Sequence, residues 1–120
     1  MLRRALFAVL ALAAVATAAD SPQENRLVLG ARAERHVRES HFAGGARSRG
    51  KSLFLPGTDL RKLVKAAEKA KPRRQDNGRD KRVADAGAVI GSDGRSGKPM
   101  RTYVVIAEPD GAVVTMYPGR

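Results

Sequence analysis

Residues 102–117, T-Y-V-V-I-A-E-P-D-G-A-V-V-T-M-Y, set the tightest limit on what this chain can become. Two runs rich in β-formers, 103–107 and 112–117, flank Glu108-Pro109-Asp110-Gly111, which has Pro and Gly where a type I turn wants them. The second run is apolar on both sides through Val113 and Val114, the pattern of a central strand. Alternation puts Val113, Thr115 and Tyr117 on one face, with Val114 and Met116 on the other. Thr115 and Tyr117 are thus two hydroxyls on one face of a strand expected to be buried. Such a pair either finds a partner, a neighbouring side chain or a ligand, or finishes the strand near solvent.

The other end of the chain has a different character. Arg3-Arg4 form a charged start, 5–15 an apolar run, and Ala16-Thr17-Ala18 a small-residue cleavage signal. Residues 1–19 are therefore expected to be a signal peptide, and 20–120 a single domain that is secreted or periplasmic. The apolar run is too short to span a bilayer stably, so no stable membrane insertion is expected once the signal is removed. The chain has no cysteine, which excludes disulfides, lipid anchoring and cysteine zinc sites. His36 and His41 are not spaced as a metal pair on a helix face, and neither metal nor cofactor is expected.

Charge narrows the partner. The chain carries 23 Lys+Arg against 12 Asp+Glu, a net charge of +11; without Arg3 and Arg4 the excess falls by two. Such a balance favours a polyanion, although it also serves solubility alone.

Ser21-Pro22-Gln23-Glu24 reads as a capping box, with Ser21 as N-cap, Pro22 at N1 and Glu24 at N3. It predicts a helix over 22–39, weakened at Gly30. The apolar stripe is Leu29, Ala33 and Val37, with Leu27 to one side and His36 half-buried on the edge. That position is useful for a catalyst, but taken alone it favours a core histidine. Residues 43–52 form a basic loop carrying Arg47, Arg49, Lys51 and Ser52. The span 45–52 matches the phosphate-loop pattern G-x-x-x-x-G-K-S, but no strand precedes it and no helix directly follows; what remains is a loop able to hold phosphate. Thr58 or Asp59 caps a second helix over 60–70, with Leu60, Leu63, Val64 and Ala67 inward, Glu68 outward and Pro72 as its stop. Residues 73–82 read as a mobile basic loop, 88–91 as a short strand and 92–99 as a hairpin-like turn. The expected fold is α+β: two N-terminal helices packed on a three- to four-stranded antiparallel C-terminal sheet.

Three pieces, R-H-V-R-E-S-H-F, then K-S-L-F ahead of a helix, then V-V-T-M-Y-P-G, occur in that order. The layout resembles the small ribonuclease toxin domains at the C-termini of bacterial contact-dependent inhibition proteins and other polymorphic toxins. It is closest to their RNase A-like group, within or near the barnase/EndoU/colicin/RelE-like collection. The resemblance covers roughly 35–119. It places the family's histidine on His36, its basic residue on Arg47 or Lys51, and its C-terminal T-x-Y-P on Thr115 and Tyr117. It implies a metal-independent endoribonuclease, in which the ribose 2′-OH attacks phosphorus and leaves a 2′,3′-cyclic phosphate. RNA is the implied partner, a cognate immunity protein is compatible with it, and a monomer is expected.

These residue types suit that chemistry. An imidazole titrating near neutrality can take the 2′-OH proton, which makes His36 the expected base and His41 the candidate acid. Lys51 or Arg47 can stabilise charge on the phosphorane, Thr115 and Tyr117 can hydrogen-bond phosphate or ribose, and Arg47, Arg49 and Ser52 can hold the substrate. The competing reading is a non-enzymatic basic module for nucleic acid or another anionic surface.

Overall fold

The computed structural model describes residues 25–120; the expected signal peptide and the Ser21–Glu24 capping box lie outside them. The fold is α+β, with two helices and two antiparallel sheets. The larger sheet, in the order β2-β3-β6-β7, is formed by β2 (Arg73–Arg74), β3 (Asp80–Asp85), β6 (Thr102–Ala107) and β7 (Val113–Pro118). The smaller joins β1 (Leu53–Phe54), β4 (Gly91–Ser92) and β5 (Pro99–Met100) in the order β1-β4-β5. A single C-terminal sheet was expected. The second sheet forms because β1, between the helices in sequence, pairs with the chain just after Ile90.

Helix α1 (Ala31–Ser40) is shorter than the expected 22–39. Gly30 stands at its N-terminus in an extended conformation, and the residues before it form a strap instead of a turn of helix. Val28 makes a parallel bridge to Ala112, its N–H donating to the Gly111 carbonyl (2.9 Å) and its carbonyl accepting from the Val113 N–H (2.9 Å). Leu27 and Leu29 alternate with Val28, which is 63% exposed, and both enter the core. The leucines read as a helical stripe reach the core as a strand would. Within α1, Ala, Arg and Glu favour helix. Glu34 in the first turn pairs with Arg38 in the last (3.2 Å), which suits the helix dipole.

Helix α2 (Leu60–Ala67) begins at Asp59, whose Oδ1 accepts the Lys62 N–H (3.1 Å). Leu60, Val64 and Ala67 are buried as expected. Glu68, expected outside, is buried, because its carboxylate accepts the Leu27 N–H of the strap (3.0 Å) and faces Lys65 (3.3 Å).

The span 73–82, expected to be a mobile loop, is a hairpin, with Arg73 opposite Lys81 and Arg74 opposite Asp80. Asn77-Gly78 makes its turn, Gly78 taking φ 86°. The strand expected at 88–91 starts only at Gly91. The inner strands of the larger sheet are β3 and β6, the latter buried from Tyr103 to Ala107, whereas β7, expected to be central, lies at the edge. The double valine marks a bulge: Ala107 pairs with Val113 but Ile106 pairs with Thr115, leaving Val114 as the extra residue. The bulge moves Val113 from the face of Thr115 and Tyr117 to the core, where Met116 also lies. Thr115 and Tyr117 keep their shared face.

Candidate active site

Among the strands, α1 lies against β7, the sheet edge that carries Thr115 and Tyr117. His36 is exposed, because the core side of α1 belongs to Val37 and Ser40. Its Nε2 stands 3.1 Å from the Thr115 Oγ1, so two residues from opposite ends of the fold meet in one hydrogen bond.

His41 follows the last turn of α1 and closes it, its N–H donating to the Val37 carbonyl (2.7 Å). Its own carbonyl accepts the Phe54 N–H (2.7 Å), while Phe42 bridges to Phe54. This docking sets β1 beside the helix end and brings Ser52 next to the His41 ring. Nδ1–H of His41 donates to the Ser52 carbonyl (2.9 Å); a carbonyl only accepts, so the proton sits on Nδ1 and Nε2 keeps its lone pair when the ring is neutral. The ring packs 6.1 Å from His36, nearly edge-on, and 5.6 Å from Tyr117. Burial holds the His41 pKa below its ordinary 6.5, and the nearby His36 and Lys51 push the same way, outweighing the Ser52 hydrogen bond. Burial also pushes the Tyr117 phenol up, so at neutral pH it is a hydrogen-bond donor.

His36, His41, Lys51, Ser52 and Tyr117 line one open cleft of about 610 Å³, together with Gly50, Asp93, Gly94 and Arg95. Thr115 borders it through His36. Arg47 and Arg49 are not in its lining: the Arg47 N–H is tied to the Glu39 carbonyl (2.8 Å), and Lys51 Nζ donates to the Arg47 carbonyl (3.4 Å). Of the two cations left open by the sequence, Lys51 is the one at the cleft. Ser52 is held by protein contacts, its carbonyl by His41 and its Oγ by the Gly94 N–H (2.9 Å).

Asp93, Gly94 and Arg95 were read only as a turn. Asp93 gathers the N–H groups of Arg95 and Ser96 and the Ser96 hydroxyl on one oxygen, which holds its carboxyl below the usual range. A side chain on Gly94 would come within 2.5 Å of the Lys51 carbonyl carbon and 2.6 Å of the Ser52 nitrogen. The turn therefore rests directly on the backbone that carries Lys51. Only this cross-chain contact reveals its relation to the site; Asp93-Gly94 by itself signals no more than a bend.

Among the described residues no group of three or more His, Cys, Asp or Glu stands together as a metal site, and no helix is long and apolar enough to cross a membrane. Against known proteins, the chain matches no family model and no curated protein.

Proposed function

We propose that the chain is an exported endoribonuclease that cleaves RNA at this cleft without a metal ion, by attack of the 2′-OH to leave a 2′,3′-cyclic phosphate. The observation that carries the reading is the meeting of His36 with Thr115 beside His41, Lys51 and Tyr117. An acid, a base, a cation and a phenol donor around one open space are what transesterification at phosphorus needs. His41 is the base: its protonated Nδ1 is anchored, its Nε2 is the proton acceptor, and its lowered pKa keeps it neutral near pH 7. His36, hydrogen-bonded to Thr115, serves the leaving 5′-oxygen, an exchange of the proton roles expected from the sequence. Lys51 and Tyr117 stabilise the non-bridging oxygens.

Incubation of the chain lacking residues 1–19 with total RNA in EDTA tests the reading, with the product ends identified by mass spectrometry. Cyclic phosphate ends are expected. RNA bound but left intact would favour the binding module, and cleavage restored only by added metal would sink the mechanism. Export is tested by sequencing the N-terminus of the protein outside the cytoplasm, which is expected to begin at Ala19 or Asp20.

The His41 environment fixes a pH dependence. The acid limb of kcat/KM is expected below pH 6.5, where the lowered His41 pKa lies. Because unfolding returns the ring to its ordinary pKa, the unfolded state binds the proton more readily. Stability therefore falls as pH drops through 6.5 towards the folded value, and is regained as pH rises. Chemical denaturation at pH 5 and 7.5 checks the sign, with His41→Gln flattening the difference.

Gly94→Ala forces the turn away from Lys51 and Ser52. Cleavage is expected to fall by up to roughly 10²-fold, as for small misplacements of catalytic groups. Circular dichroism verifies the fold, and an unchanged rate would mean that the turn does not position Lys51.

A further inference from the structure

The larger sheet carries a second basic feature on the face that holds Thr115 and Tyr117. Strand register shows the shared face: Arg73 is opposite Lys81, Lys81 opposite Ile106, and Ile106 opposite Thr115. The next row runs from Val83 through Val104 to Tyr117. Arg82, between Lys81 and Val83, points to the opposite face and bonds the carbonyls that end α2, as alternation requires. At the β2 edge, Lys71, Arg73 and Lys81 line a groove of about 550 Å³ with Pro72 and Val83. No carboxylate is among these lining residues. Asp80 alternates away from Lys81, and its carboxylate is held by Arg74 (2.6 Å). Lys81 Nζ donates to the main-chain oxygen of Arg120 (3.4 Å), which holds the residues following β7 beside the groove.

We propose that this groove binds a phosphate of the RNA strand several nucleotides from the bond cleaved at the His36–His41 cleft. The inference rests on the proposed ribonuclease reading for the strand's position, and on the groove's own charge for binding. From β2 to β7 is three strand spacings, about 14 Å, a distance that a short extended segment of single strand covers. Val83 and the Lys81 stem give the groove an apolar floor, while Lys71, Arg73 and Lys81 supply charge. The groove therefore adds affinity for longer RNA and contributes nothing to cleavage of a dinucleotide, which ends within the cleft.

The test compares the wild-type chain with Arg73→Ala/Lys81→Ala, and with Arg73→Lys/Lys81→Arg as the charge-retaining control. Each is assayed in EDTA on a dinucleotide and on a fluorescein-labelled single-stranded RNA of about twelve nucleotides, a length within single-strand site sizes. Anisotropy of the longer RNA is measured across a salt series. The alanine pair is expected to raise KM for the longer RNA roughly tenfold and to make its salt slope shallower by about 0.7, the worth of one phosphate contact on a single strand. Dinucleotide cleavage stays at the wild-type rate, and the charge-retaining pair restores binding. Unchanged anisotropy and salt slope overturn the proposal, as does an equal loss on both substrates. If the wild-type chain cleaves neither RNA, the ribonuclease reading fails, while the anisotropy difference still decides whether the groove binds the strand.

Discussion

His36→Ala is expected to lower the rate of RNA cleavage by roughly 10²–10⁴-fold, the usual worth of a positioned acid or base, with little change in stability. The structure separates the two effects. His36 is exposed on α1, and its hydrogen bond to Thr115 Oγ1 (3.1 Å) lies at the surface. Loss of such a contact changes folding by about 0.5 kcal/mol or less. His41→Ala should match it in rate but cost more stability, about 1 kcal/mol, because it also strips the Ser52 carbonyl of its donor. Tyr117→Phe should be milder, since the ring keeps its packing on His41 and only the hydroxyl is lost. Single-turnover rates beside urea denaturation curves distinguish these outcomes. A wild-type rate for both histidine variants would make the cleft a binding surface and end the catalytic reading.

The largest stability effect is expected at Arg82, which is 4% exposed in the middle of β3. Its Nη1 donates to the carbonyls of Ala67 (3.4 Å), Glu68 (3.0 Å) and Ala70 (3.0 Å); Ala67 also accepts the Ala70 N–H (3.0 Å), whereas the other two lie where the backbone donors of α2 run out. A cation there also faces the negative end of the helix dipole. Arg82→Met keeps much of the volume and removes every donor. Stranding buried carbonyls in this way should cost about 3–5 kcal/mol, a large part of the ~5–15 kcal/mol that holds a domain of this size together. The urea midpoint should fall accordingly with its slope unchanged. A loss below about 1 kcal/mol would mean that water replaces the guanidinium at the helix end.

Arg82 also explains where the sequence was hardest to read. Asp80-Lys81-Arg82-Val83 looks solvated, because a strand whose inward residue is an arginine hides its alternation. Asn77-Gly78 was the available sign of a hairpin. In the strap, Leu27 and Leu29 lie two apart, a strand period. Leu29, Ala33 and Val37 continue at helical spacing, so the two patterns merge across Gly30. The two-residue strands β1, β4 and β5 are too short to carry any period. By contrast, the β6–β7 hairpin and the apolar face of α2 were legible, since each combines turn or cap chemistry with a clear pattern. The pairing of Thr115 with Tyr117 survived the error in placing Val113, because the bulge lies before both hydroxyls. The Asp93–Arg95 turn reaches the cleft only through tertiary contact, and no local pattern encodes that.

The strap binds Val28 to Ala112, and the cleft likewise joins His36 and His41 to Thr115 and Tyr117. Both closures wait for the β7 segment to be made. A chain leaving a ribosome or a pore N-terminus first can form its helices early, yet it holds neither a sealed core nor an assembled cleft until β7 has emerged. Completion of the fold and appearance of the site are therefore one late event, and a nascent chain truncated before β7 has no assembled cleft.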